Sequence, residues 1–250
     1  MESVDTPSSA RFVLDDPRSR RPARLASVVL EELAHRIIGG TFPEGSILPT
    51  EPVLCEQFGF SRTVIREGLK QLEERGLVRV EQGRGTSVQP RSAWNLLDPT
   101  VIGIALAYDT DMSLLDNLIT VRRVLEREMA QAAVARLTEA ELAALAENID
   151  RTTSAYDDYD QFRRLDNDFH AIVMKASGNE VGLTIVRTIH THGGVMPPLA
   201  SAASRAALKR TVAAHRAIYE ALVARDGEAA GELIATHIET AWAERRRRKS

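Results

Sequence analysis

The stretch TEPVLCEQFGFSRTVIREGLKQLEERGLVRVEQGRGTSVQ, residues 50–89, decides the N-terminal fold. Thr50 precedes EPVLCEQF as an N-cap, and Pro52 is tolerated in the first turn of that short helix. Gly59 ends it, and Ser61 caps a second helix, RTVIREGLKQLEER, which Gly76 ends. LVRV and TSVQ read as two short strands joined by EQGRG, a wing. Helix, tight turn, helix and hairpin, in that order, make a winged helix-turn-helix. In this motif the first turns of the second helix meet base edges in the major groove. Ser61, Arg62, Thr63 and Arg66 fall on those turns, while Val64, Ile65, Leu69 and Leu72 occupy the opposite, apolar face. Arginine can bond guanine O6 and N7 together. Gly83 and Gly85 let the wing tip approach a backbone closely, and Arg84 brings charge to it.

Working outward, residues 24–38 place apolar groups at Leu25, Val28, Val29, Leu33 and Ile37, a helical spacing that Gly39 and Gly40 stop. The segment 41–50 reads as a turn-rich connector. Residues 1–22, rich in Ser, Pro and Arg, read as a flexible tail whose Arg18, Arg20 and Arg21 are within reach of phosphates. The winged domain takes 23–90, and 91–99 reads as a linker. From 100 to 250 the pattern is helical throughout, with Ala-rich amphipathic stretches near 113–135, 138–154, 158–177, 180–192, 202–225 and 228–246. The breaks between them include Gly178-Asn179, Pro197-Pro198 and Asp226-Gly227. The fold class is therefore mostly α, a winged helix-turn-helix followed by an all-α helical bundle. The terminal run RRRRK reads as a solvated helix end, where cations complement the helix dipole.

The composition agrees with two globular domains. The chain has 250 residues, 44% hydrophobic and 27% charged. No apolar run approaches a bilayer span, and no secretory h-region opens the sequence. A single cysteine, Cys55, excludes an internal disulfide. The expected compartment is the cytoplasm. A net charge of −3 does not exclude DNA binding, which needs a basic face rather than a basic total. Residues 61–84 supply six basic side chains against four acidic ones.

Residues 24–89 resemble the DNA-binding domain of the GntR family, on the strength of FPEGSILPTE, FGFSRTVIREGLKQLEERGLV and EQGRGTSV. The resemblance implies a homodimer on a short palindromic operator of double-stranded DNA. It implies that Thr50, Ser61, Arg62, Thr63 and Arg66 face the DNA, with Gln82, Gly83 and Arg84 as the wing contact. One departure stands out. Many members carry Arg where this chain has Pro52, so one groove or backbone contact is missing here.

The second domain holds a pattern of its own. Asp166 and His170, four apart, share a helix face. His215 and His237 each lie 11 residues from Asp226, so a hairpin at that break brings them level on adjacent helices. One carboxylate and three imidazoles then converge in a bundle core. That donor set suits Zn²⁺ above all, with Ni²⁺ or Mn²⁺ as variants, and leaves open coordination positions. A hydrogen-bonded Asp–His pair without an ion is the plainer alternative. Asp168 faces away, and His35, His190 and His192 have no partner at a telling spacing. Residues 100–245 resemble the FCD-type effector domain of the FadR branch of the GntR family, through VRRVLE, DNDFHAIVMKASGN and AHRAIYEALVARDGEAAGELIATHIE. The resemblance implies that Asp166, His170, His215 and His237 form the metal site and that Arg122 reaches an effector carboxylate. On spacing alone Arg122 is a helix-surface charge paired with Glu126. RSAWNLLDPTVIGIAL is similar to the linker of repressors that control galactonate and related sugar-acid operons. The expectation is a regulator and not an enzyme: a repressor released by a small organic acid, a sugar acid first. Residues 190–205 look unlike the family pattern and are expected to shape the pocket. A regulator for which the ion itself is the signal, a metal-dependent hydrolase, and a purely structural metal are the competing readings.

Overall fold

The computed structural model describes residues 17–193 and 204–247. The chain divides into two compact units between Asn95 and Leu96, inside the stretch read as a linker.

In the first unit, helix α1 (Pro17–Ile38) packs on α3 (Arg62–Glu74), with α2 (Glu51–Phe58) alongside. α1 begins within the stretch read as tail. Proline suits a first helical turn, because its missing N–H would be unpaired there in any case. The side chains of Arg18, Arg20 and Arg21, and all of residues 1–16, lie outside the described residues. α1 and α3 approach unusually closely at Gly68, where a Cβ would stand 2.6 Å from Val29 Cγ1. Strands β1 (Val78–Glu81) and β2 (Gly85–Val88) pair antiparallel, Val78 opposite Val88 and Glu81 opposite Gly85. The connector does more than turn: Ile47 bridges to Ser87, and the Leu48 N–H donates to Thr86 O at 2.8 Å. It thereby covers the edge of the wing.

The first half of the supposed linker is fastened down. The Asn95 N–H donates to Arg75 O at 2.9 Å, and Trp94 Nε1 donates to Gln89 O at 3.1 Å. Gly76, at φ 72°, has only glycine's room, since a Cβ would meet Ala93 O at 2.1 Å. The far end is anchored too. Asp98 caps α4 (Pro99–Ala107), accepting from Thr100 N and Val101 N.

The second unit is helical throughout its described residues: α4, then α5 (Ser113–Ala133), α6 (Glu139–Ser154), α7 (Tyr159–Ala176), α8 (Glu180–Gly193), α9 (Arg205–Val223) and α10 (Gly227–Arg247). α5 is packed along α10, and α9 pairs with both α10 and α6. Leu145, Phe169, Met174, Ile218, Leu222 and Ile234 anchor one continuous core. Local chemistry sets the helix starts. Thr138 and Glu141 form a reciprocal capping box, and Asp109, four residues before α5, accepts from Leu114 N and Leu115 N. The α9–α10 break falls on Arg225, at φ 58°, one residue before the Asp226-Gly227 pair expected to make it. Asp226 instead caps α10 through Ala229 N, and Gly227 opens that helix against Gln131 O. The Arg225 guanidinium donates to Val134 O and Leu137 O, pinning the turn to the end of α5. No helix among the described residues is long and apolar enough to cross a membrane.

Candidate functional site

On the winged unit, all eight residues expected to face DNA are exposed: Thr50, Ser61, Arg62, Thr63, Arg66, Gln82, Gly83 and Arg84. Ser61 Oγ accepts from Val64 N at 3.5 Å and so starts α3. Val64, Ile65, Gly68, Leu69 and Leu72 are buried beneath, which turns Arg62, Thr63 and Arg66 outward. Thr50 sits at the N-cap of α2 but makes no capping bond with its side chain. Arg66 is engaged: its Nε lies 2.8 and 3.0 Å from the two carboxylate oxygens of Glu51. Sequence reading missed that partner, which comes from a different helix. Gln82, Gly83 and Arg84 form the wing turn, with Gly83 at φ 78°.

In the helical unit the four expected ligands come together. One donor atom from each of Asp166, His170, His215 and His237 lies within 4.8 Å of all the others. The i,i+4 spacing on α7 and the hairpin of α9 with α10 bring them there. His215 is fully buried, and neither of its ring nitrogens has a hydrogen-bond partner. Its Nε2 stands 3.4 Å from Asp166 Oδ1, and its ring is stacked on Phe169 at 3.9 Å. A buried polar ring with nothing to bond is costly. A divalent cation among these four donors would engage one of its two nitrogens, so the residues present fit such an ion. Burial and the neighbouring His237 push the His215 imidazole well below its usual pKa. Burial and His170 push His237 down to about 4. These rings are therefore neutral at pH 7, as a metal ligand must be.

Glu126 is the member of this cluster that sequence reading missed. It is fully buried, not on the helix surface as expected, and the Arg122 side chain is only 15% exposed. Arg122 Nε donates to Glu126 Oε1 at 2.7 Å. His170 Nδ1 lies 2.5 Å from Oε2, and His190 Nε2 lies 3.1 Å from Oε1. Burial opposes ionisation of this carboxyl, but Arg122 and His170 hold its pKa well below the usual range. With Nδ1 bonded to Glu126, His170 keeps Nε2 for the cluster. A carboxylate behind a ligating imidazole fixes its tautomer and orientation in this way. Glu126, His170 and His190 also lie within ligand distance of one another, but they share that ring. The available signal was periodicity: Glu126 lies on the same stripe of α5 as the buried Leu115, Leu118, Met129 and Ala133. His190, read as partnerless, is drawn in through Glu126. Burial, with Arg122 nearby, lowers its pKa to about 4. The side chain of His192, and residues 194–203 of the segment expected to shape the pocket, lie outside the described residues.

A cavity of about 90 Å³ opens beside this cluster, lined by Arg122, Asp166, His170, His190 and His237 among others. That is room for several waters, hence for a small polar molecule. The basic C-terminal run is not simply solvated, as expected for it. Arg245 lines the cavity, and Arg246 pairs with Asp116, which also accepts from Trp242 Nε1 at 2.8 Å.

Comparison with known proteins follows the same division. Residues 25–88 match the family model described as bacterial regulatory proteins, gntR family, and residues 117–240 match the FCD domain. The galactonate operon transcriptional repressor of Escherichia coli K12 is 30% identical, over 82% of this chain and 90% of its own length. The Glc operon transcriptional activator of the same strain is 34% identical over 65% of this chain and 63% of its own. Among solved structures, the Listeria monocytogenes protein Lar superposes with a TM-score of 0.55 at 18% identity, covering 90% of this chain and 96% of that one.

Proposed function

The chain belongs to the GntR family of bacterial regulatory proteins and carries an FCD domain, and from that premise we propose how this transcriptional regulator works. It acts as a homodimer that represses a catabolic operon and leaves its operator when a small organic acid, first of all a sugar acid, binds in the helical unit. The observation that carries this reading is His215, buried with both ring nitrogens unpaired beside Asp166, His170 and His237, next to a cavity that Arg122 lines.

A divalent ion held by those four residues, Zn²⁺ by preference, would supply positive charge and open positions for carboxylate and hydroxyl oxygens. The chain's own groups do the rest. Glu126 keeps His170 in one tautomer. Arg122 offers guanidinium N–H donors to the acid's carboxylate, a geometry that favours paired hydrogen bonds. Phe169 is fully buried and stacks on the His215 ring, which keeps water from that ligand. On the winged unit, Arg62 and Thr63 read base edges and the 82–84 turn meets the backbone. Arg66 must exchange part of its Glu51 pairing to join them. The acid shifts the balance between DNA-bound and free dimer only through its different affinity for the two states. Repression is the sign favoured by the galactonate operon relative, which is named a repressor.

A gel shift tests the whole reading. DNA from upstream of the protein's own gene is titrated with protein, with a panel of sugar acids, with and without chelator. Retardation that an acid relieves, and that chelator makes insensitive to the acid, is the expected result. Arg62→Ala should abolish retardation while its circular dichroism stays native. Release by added metal with no acid present would move the assignment to a metal-responsive regulator. Absence of specific DNA binding would overturn the reading.

A further inference from the structure

The cavity beside the imidazoles is more basic than one carboxylate requires. Three guanidiniums line it: Arg122 from α5, Arg163 from α7 and Arg245 from α10. Arg122 is committed to Glu126, and both side chains are nearly or fully buried. Arg163 and Arg245 are half-buried, and neither makes a hydrogen bond or ion pair among the described residues. Two of the carboxylates around them are engaged elsewhere, and the third, Asp166, feels the charge of Arg245 without a hydrogen bond to it. Glu126 is shared by Arg122, His170 and His190. Glu244 pairs with Arg210 at 2.7 Å, and Asp166 stands 3.4 Å from His215.

The basic groups also fall into two sets along the helices. Arg122 belongs to the imidazole end through Glu126. Arg245 lies eight residues beyond His237 on α10, a rise of about 12 Å, and Arg163 lies seven residues before His170 on α7, about 10 Å. The two reach one rim of a single cavity from helices that both carry imidazole ligands at its other end. A half-buried guanidinium gains most from a carboxylate that it can grip with two N–H groups. An acid with one carboxylate satisfies the Arg122 end and leaves Arg163 and Arg245 without a hydrogen-bonded carboxylate.

The geometry points to an effector with two anionic ends: a short hydroxy dicarboxylate, one carboxylate at Arg122 and the other between Arg163 and Arg245. This rests on the effector reading given above and narrows it, from sugar acids in general to those oxidised at both ends. The second carboxylate selects among acids, and the first, with the hydroxyls, selects the class.

Matched pairs of acids that differ only in the far terminus test it: galactonate with galactarate, gluconate with glucarate, threonate with tartrate. Each is titrated calorimetrically into the full-length, zinc-loaded protein. In every pair that binds, the diacid is expected to be tighter by about tenfold or more, the equivalent of one charge-assisted contact. In the Arg163→Met, Arg245→Met double variant, checked for native circular dichroism and zinc content, that ratio falls to about one. Arg163→Lys with Arg245→Lys restores part of it. Monoacids that bind as tightly as their diacids in the wild-type protein would overturn the inference and leave the effector reading standing. So would a diacid preference that survives in the double variant. If none of the six acids binds, the effector reading fails and this inference fails with it.

Discussion

At the scale of single residues, the ring of His215 carries the sharpest prediction. Its nitrogens have no hydrogen bonds to lose, so His215→Ala should leave the surrounding bonds intact. Metal affinity should fall by more than the roughly 10–100-fold typical of losing an outer-sphere partner. Metal analysis after dialysis measures this, and unchanged stoichiometry would refute it. A second prediction concerns acid. His190 and His237 have pKa values pushed down to about 4 in the folded chain, against an ordinary 6.5. Above pH 6.5 both folded and unfolded chains hold these rings neutral, and nothing is lost. Between pH 6.5 and about 4 the unfolded chain takes up protons that the folded chain refuses. Chelator-treated protein should therefore lose stability as pH falls from 7 to 5, approaching about 1.4 kcal/mol per pH unit for each ring. Thermal melts across that range test it, and a flat profile would count against the burial argument. The sequence made the Asp166–His170 and His215–His237 pairings legible, because both follow from helical spacing and a visible break. It hid Glu126, because an Arg–Glu pair at i,i+4 looks the same on a surface as in a core.

At the scale of elements, α1 and α3 meet across a glycine. Gly68→Ala gains about 1 kcal/mol in helix propensity. It also sets a methyl group against Val29, which is fully buried and has nowhere to retreat. Overpacking of this kind costs about 1–3 kcal/mol, so a lower melting temperature is the expected outcome. An unchanged or raised value would mean that the two helices can part freely. Helix positions were readable to within a few residues wherever capping residues or glycines mark the ends, as at Ser61, Thr138 and Gly76. Three features were not. Prolines at positions 17 and 22 disguised the first turns of α1. The Ile47 bridge to the wing depends on a partner 40 residues away. Arg225 takes the left-handed turn because its guanidinium has two carbonyls of another segment to bind, a reason that lies outside its own neighbourhood in sequence.

At the scale of the whole molecule, the two units were visible in the change from turn-rich to Ala-rich sequence. The tethering between them was not. Both ends of the 91–99 segment are anchored, by the Asn95 bond to Arg75 and by Asp98 at the start of α4. Leu96 and Leu97 lie between those two anchors. Four residues of Gly-Ser inserted after Leu96 should weaken acid-dependent release by severalfold while operator affinity without acid changes little; gel shifts on the insertion protein measure both. Undiminished release would show that the signal does not pass through this segment. The Glu126 carboxylate has a consequence of another kind. It joins the guanidinium that would greet the acid to an imidazole that would hold the ion. An anion that draws on Arg122 leaves more of Glu126's negative charge for His170, making that ring a stronger donor. Whatever factor the acid adds to the ion's grip, the ion must add to the acid's. Supply of the metal and supply of the nutrient would then be read as a product, so that either one scarce keeps the operon silent.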